Sequence, residues 1–236
     1  HGSYEVTVDV PEKFVVGATG RLVAEQGGQG RKQLTYRADD VRDFAWFADP
    51  NFVESKQRVT DELGEVEVRL LNQPGLSSVV PRHFAGVKAA ILEGEHRYFS
   101  YPYKNVTVIV PPKDGNGSGG MEYPQLITSF HSPLPEGVRI VESVDAHEFG
   151  HQWVPMMIDS DEVEEAWLDE DLRLDRRGLL GAFGLEADGE TRPLAEAHGG
   201  LQRLPGGAQP VEAFVVLDRG DAIAVVARRR ELDEVG

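Results

Sequence analysis

The sequence of 236 residues contains no cysteine, and no apolar stretch in it approaches the roughly 20 residues that a membrane-spanning helix needs. Without thiols there can be no disulfides, iron–sulfur clusters, cysteine zinc ligands or thiol catalysis. Basic residues are also scarce, because 24 Lys and Arg stand against 40 Asp and Glu, for a formal net charge of −16. We therefore expect neither nucleic acid nor an acidic membrane surface as a partner, since both attract positive charge.

The first residues, His1-Gly2-Ser3-Tyr4, include no methionine and none of the basic and apolar segments of a signal peptide. We expect a fragment or a processed chain, in which any signal or anchor would lie upstream of residue 1. The compartment stays open, because a chain without cysteine fits either side of a membrane. Hydrophobic residues make up 40% of the sequence, which is enough for a globular core.

The pattern of apolar residues divides the sequence into three segments. Residues 1–74 show the alternation typical of strands, and residues 75–170 mix helical and strand patterns. Residues 171–236 contain no Lys, Tyr, Asn, Ser, Trp or Met. The predicted strands are 4–10, 33–37, 44–47, 65–70, 106–110 and 123–130, with weaker patterns at 213–217 and 221–227. The predicted helices are 81–99 and 141–157, with another beginning at 162–168, and residues 115–120 form a predicted flexible loop.

Residues 147–151 have the sequence HEFGH, which matches the pattern H-E-x-x-H. Four residues of helix turn about 400°, so both imidazoles leave one face and could reach one zinc ion. Glu148 then lies on the neighbouring face, where it could take a proton from a metal-bound water that attacks a carbonyl. So short a pattern also arises on solvated helices. The apolar residues near the HEFGH sequence, including Phe149 and Trp153, favour a helix whose histidines point inward and need partners.

A third possible ligand follows, since 18 residues separate His151 from Glu170 in the sequence WLDE. Two histidines and one glutamate leave the fourth position of zinc open for water, which is typical of a catalytic site rather than a structural one. The sequence therefore predicts one zinc ion held by His147, His151 and Glu170.

This combination of motifs resembles the gluzincin peptidases, and specifically the aminopeptidase N family. The second signature of that family is G-x-M-E-N. Residues 119–124 here have the sequence GGMEYP, which places Glu122 25 residues before His147. The sequences DFAW at 43–46 and EEAW at 164–167 also resemble bacterial members of the family. The similarity covers about residues 34–170.

The resemblance implies the zinc ligands already named and makes Glu148 the general base and later proton donor. It further implies that Glu122 binds the free α-ammonium of the substrate through charge-assisted hydrogen bonds, so that cleavage occurs one residue from the N-terminus. Gly119, Gly120 and Met121 would let the substrate backbone approach this edge strand closely. Glu164 is a candidate hydrogen-bond partner for a zinc histidine.

From these patterns and the resemblance we expect an α+β fold. It would consist of the end of an N-terminal β-sheet domain, followed by the N-terminal part of a thermolysin-like zinc peptidase domain. The predicted boundaries are 1–74 for the β-rich part and 75–170 for an incomplete catalytic domain, with 171–236 unassigned. The expected function is zinc-dependent removal of N-terminal amino acids from peptides. An endopeptidase of the same clan remains an alternative, as does a zinc-binding but inactive fragment.

The sequence departs from the family at three places. Tyr123 stands where the signature has Asn, and the resemblance stops at Asp171. The family places a tyrosine beyond the glutamate ligand to stabilise the oxyanion, whereas the last tyrosine here is Tyr123, which favours the inactive alternative. The composition of residues 171–236 suits two hypotheses, an out-of-frame translation of GC-rich DNA or a divergent module.

Overall fold

The computed structural model describes residues 1–131, 138–158 and 164, together with the backbone of residues 214–218 and 221–230. In chain order its strands are β1 (Gly2–Pro11), β2 (Val15–Ala18), β3 (Arg21–Gly28), β4 (Arg31–Val41), β5 (Trp46–Asp49), β6 (Val53–Thr60), β7 (Glu65–Asn72), β8 (Asn105–Ile109), β9 (Met121–Tyr123), β10 (Leu126–Thr128), β11 (Phe214–Asp218) and β12 (Asp221–Arg230). Its α-helices are α1 (Val80–Arg97) and α2 (Ile140–Gly150).

Within the described residues the strands form two five-stranded sheets and a small two-stranded one. The first sheet has the order β11-β12-β1-β4-β3 and is antiparallel throughout. The second has the order β6-β7-β8-β10-β9, in which β8 runs parallel to both β7 and β10. Strands β2 and β5 pair with each other. The α+β class predicted from the sequence is therefore confirmed.

The alternation in the sequence explains the first sheet. Val6, Val8 and Val10 on β1 are fully buried, whereas the intervening residues are half-buried, so one face of the strand packs into a core. That core also contains Phe14 and Tyr36. The described part of the structure contains no helix that is both long and apolar enough to cross a membrane.

The second sheet and both helices share a separate core. It joins valines of β7 and β8 to Val87 and Ile91 of α1 and to Phe149 of α2, with Trp153 fully buried among them. Trp153 contacts α1 so closely that a Cβ placed on Gly94 would overlap its ring. This packing fixes the end of α2 against α1, which is the position of the HEFGH sequence.

The two helices are also joined by buried charge. Arg82 of α1 makes two hydrogen bonds to the carboxylate of Glu142 on α2, at 2.9 and 2.7 Å, and Arg139 adds one at 3.0 Å. Burial acts to raise the pKa of Glu142, but these hydrogen bonds outweigh it and hold the pKa below its ordinary value. A Cβ on Gly86 would lie only 2.9 Å from the Glu142 carbonyl oxygen, so the helix backbones approach closely here.

Three predicted elements differ from the structure. Residues 123–130 do not form one strand, because Pro124 and Gln125 make a turn that folds the chain into the hairpin of β9 and β10. Gln125 has a φ of 59°, a left-handed conformation that ends an extended strand. Helix α2 begins as expected but ends at Gly150 rather than near 157, and the following residues form turns. The predicted flexible loop at 115–120 lies largely in a 3₁₀ helix, Lys113–Ser118.

The predicted boundary at residue 74 stays a prediction, although β7 and β8 on either side of it are neighbours in one sheet. The strands expected near 213–217 and 221–227 are present as β11 and β12. The helix expected from residue 162 lies outside the described residues.

Candidate metal centre

The two histidines of the HEFGH sequence converge at the end of α2. Their Nε2 atoms lie 3.3 Å apart, and the rings meet nearly edge to face at an angle of 83°. His151 is 1% exposed, whereas His147 keeps about a quarter of its side chain accessible. One histidine therefore anchors the site in the interior and the other faces its opening.

The protonation of His151 follows from its second contact. Its Nδ1 lies 3.1 Å from the carbonyl oxygen of Val154, which can only accept a hydrogen bond. Nδ1 therefore donates, and in the neutral imidazole this leaves the lone pair of Nε2 directed towards His147. A backbone carbonyl that orients the far nitrogen in this way is typical of a metal-ligating imidazole.

The spacing suits a tetrahedral ion. Two nitrogens that each lie 2.0–2.1 Å from a tetrahedral zinc are separated by about 3.3 Å, which is the separation found here. Ligand atoms of His147, Glu148 and His151 all lie within 4.8 Å of one another, the arrangement expected of a group that could hold a metal. The residues present thus fit zinc.

Glu148 lies beside the histidine pair in a nearly enclosed position. It is 4% exposed, and its Oε1 is 3.7 Å from the Nε2 of His147. A Cβ on Gly120 would be 3.5 Å from the same Oε1, so the backbone of the GGMEYP sequence passes directly over this carboxylate. The structure therefore brings together the two motifs that the sequence separates by more than 20 residues.

Gly119 and Gly120 lead into β9, which is an edge strand of the second sheet. The N–H of Gly120 donates to the carbonyl oxygen of Thr128 at 2.9 Å, and the φ of Gly120 is 75°, which favours glycine. Glu122 is half-buried on β9 and lies opposite Ile127 in the register of the hairpin. Met121 on the same strand is also half-buried.

The DFAW and GGMEYP sequences also meet. The ring centroid of Phe47, the residue directly after DFAW, lies 6.1 Å from that of Tyr123. Burial raises the pKa of Tyr123, and the negative charges of Glu122 and Asp43 raise it further, so all three side chains share one environment.

We expect Gly119→Ala to destabilise the protein by about 1–3 kcal/mol, because the new methyl group would overlap the carbonyl oxygen of Ser129 and lie 3.0 Å from the Cβ of Phe130. Urea unfolding curves measure the change. Gly117→Ala is the matched control, since a Cβ there meets nothing within 4 Å. Equal unfolding midpoints for the two variants would show that the close approach of Gly119 to the Ser129 carbonyl does not require glycine.

The roles of two further predicted residues are not tested by the described part of the structure. Glu170 lies outside the described residues, so its role as a ligand stays a prediction. Glu164 is described and exposed, and its role beside a zinc histidine likewise stays a prediction.

Sequence motifs predict no role for the buried pair His83 and Asp145 or for the buried Gln152. His83 of α1 and Asp145 of α2 are both fully buried, with Nδ1 and Oδ2 2.8 Å apart. Gln152, directly after His151, is also fully buried and contacts the β9–β10 hairpin. No motif marks these residues, because only the tertiary structure places their partners beside them.

The sequence matches no protein-family model, and it matches none of the curated proteins. Solved structures do resemble the fold. Aminopeptidase A of Legionella pneumophila, in complex with aspartic acid, is 24% identical, with a TM-score of 0.52 over 60% of this chain and 18% of that one. The M1 zinc metallopeptidase of Deinococcus radiodurans is 16% identical, with a TM-score of 0.57 over 77% of this chain and 41% of that one.

A mutant two-domain M1 zinc metallopeptidase bound to L-arginine is also similar, at 16% identity and a TM-score of 0.53 over 70% of this chain and 37% of that one. The chain thus spans less than half the length of each of these proteins. At such identities the likeness concerns the fold alone. The fold is that of a β-sheet domain joined to a helix-containing part, as found in M1 zinc metallopeptidases.

Proposed function

We propose that the chain is part of a zinc-dependent metallopeptidase that removes amino acids from the N-terminus of peptides. The observation that carries the proposal is the meeting of His147, His151 and Glu148 with Gly120 of the GGMEYP sequence. It unites a metal-binding geometry, a shielded carboxylate and an edge strand at one place. The shared fold supports the same conclusion.

In this proposal His147, His151 and Glu170 hold one zinc ion. When bound, zinc supplies a Lewis acid that polarises the scissile carbonyl and makes water more acidic. Glu148 accepts the proton of the attacking water and later passes it to the leaving amine. Its enclosed position keeps the carboxylate beside the metal ligands, and the backbone at Gly120 passes close to it.

Glu122 selects substrates with a free N-terminus. Its carboxylate lies on the edge strand that follows Gly120, where it can accept charge-assisted hydrogen bonds from an α-ammonium group. Gly119, Gly120 and Met121 present the strand edge along which the substrate backbone lies. Two of the similar structures hold free amino acids, aspartic acid and L-arginine, which both carry such an ammonium group.

The direct test is hydrolysis of aminoacyl anilides and their N-acetylated counterparts by the zinc-loaded chain. We expect cleavage of the free substrates only. Glu122→Ala should raise KM for them by about tenfold or more, because one charge-assisted contact is lost. Glu65→Ala, which removes an exposed carboxylate of β7, is the control. Cleavage of acetylated substrates would instead indicate an endopeptidase.

A second candidate is a zinc-binding protein without activity. It is favoured by the composition of residues 124–236, which contain no tyrosine that could stabilise the oxyanion. Loss of one oxyanion donor costs about 10²–10³-fold in turnover. Tight zinc binding by a folded chain that cleaves neither substrate series would support this candidate.

A further inference from the structure

We propose that Gln152 is a positioning residue that fixes the strand bearing Glu122 relative to the metal-binding helix. The inference rests on the proposed function, because it concerns how the ammonium-binding carboxylate is placed with respect to the metal ligands. Gln152 is the residue directly after His151, and its side chain is fully buried.

The side chain of Gln152 makes two hydrogen bonds to the β9–β10 hairpin. Its Nε2 donates to the carbonyl oxygen of Tyr123 at 2.9 Å, and its Oε1 accepts from the backbone N–H of Gln125 at 2.7 Å. If the amide were rotated by 180°, its oxygen would face the Tyr123 carbonyl oxygen and its NH₂ would face the Gln125 N–H. The two partners therefore define one orientation of the amide. The hydroxyl of Tyr101 lies 3.5 Å from the same Oε1.

Both partners flank the turn at which the hairpin reverses. Tyr123 is the last residue of β9 and the residue after Glu122, and Gln125 stands directly before β10. Gln125 has a φ of 59°, and its N–H donates to Gln152. Strand β9 has three residues and, among the described residues, pairs with one strand, so the link at its end restrains it strongly.

At its other end, Gln152 belongs to the turn that carries the metal ligands. Its N–H donates to the carbonyl oxygen of Phe149 at 3.0 Å, and the next residue is the buried Trp153. The amide therefore connects two rigid parts of the structure. Without it, the Tyr123 carbonyl and the Gln125 N–H would lose these hydrogen bonds, and the hairpin would be free to move relative to α2.

Two variants test the link. Gln152→Met fills similar volume without either hydrogen bond, and Gln152→Glu retains the acceptor for Gln125 but loses the donor to Tyr123. We expect Gln152→Met to raise KM for aminoacyl anilides about tenfold, with a smaller rise for Gln152→Glu. Val87→Ala is the control, because it weakens the same core from α1. Val87→Ala should lower the apparent kcat in proportion to the loss of folded protein and leave KM unchanged.

A second readout does not depend on activity. Cobalt(II) bound at the histidine pair shifts the NMR signals of nearby backbone amides according to their position. We expect the signals of residues 121–123 to move in Gln152→Met and to stay in place in Val87→Ala. If the wild-type chain hydrolyses nothing, the proposed function fails, and these shifts still decide whether Gln152 positions the strand. Unchanged shifts, or changed shifts with an unchanged KM in an active enzyme, would overturn the inference.

Discussion

Glu148→Gln is expected to abolish hydrolysis, lowering kcat by about 10²–10⁴-fold, while zinc binding is retained. The amide has nearly the shape of the carboxylate, so it fits the same enclosed position. It can neither take a proton from water nor return one to the leaving amine. In the proposed arrangement Glu148 is no zinc ligand, so the metal affinity should not change. Rates on aminoacyl anilides and the zinc content of the purified variant measure the two effects.

The control for this variant is Glu65→Gln, which neutralises an exposed carboxylate at the start of β7. It should leave both turnover and zinc content as they are in the wild type. Turnover of Glu148→Gln at the wild-type rate would remove Glu148 from the mechanism. Loss of zinc from Glu148→Gln would show that Glu148 is itself a ligand.

His151→Ala is expected to weaken zinc binding by more than about 100-fold. Residues that only orient a ligand already contribute about 10–100-fold to metal affinity, so loss of a direct ligand should exceed that range. The variant also removes the hydrogen bond to the Val154 carbonyl. Competition with a chromophoric chelator measures the dissociation constant, and hydrolysis should fall with zinc occupancy.

His96→Ala is the matched control, because His96 is an exposed histidine of α1. Its zinc affinity should equal that of the wild type. An unchanged dissociation constant in His151→Ala would exclude the histidine pair as the metal site. Circular dichroism of both variants separates loss of the ligand from loss of the fold.

Local patterns predicted much of this architecture. The alternating valines of β1 and the proline in the first turn of α1 each produce the expected element, because burial on one face and a fixed φ act within a few residues. The convergence of His147 and His151 follows in the same way from helical periodicity. These features need no knowledge of distant parts of the chain.

The remaining features depend on contacts between distant residues. Residues 121–128 contain enough apolar side chains for one strand, yet the turn at Gln125 is stabilised by Gln152, 27 residues later. The early end of α2 similarly accompanies the packing of Trp153 against Gly94. A sequence window cannot contain both partners of such contacts. For the same reason Gln152 itself has no signature in the sequence.

Trp153 also makes the end of α2, with the proposed metal ligands, accessible to optical spectroscopy. Its indole is fully buried, and its Nε1 donates to the carbonyl oxygen of Phe99 at 3.0 Å. The emission of a tryptophan in such surroundings lies at short wavelength and shifts to the red when water reaches the ring. Trp153 stands two residues after His151, so its fluorescence reports on the turn that carries the metal ligands. In a variant with Trp46 and Trp167 replaced by Phe, the emission of Trp153 could follow loss of a metal from the proposed site in real time.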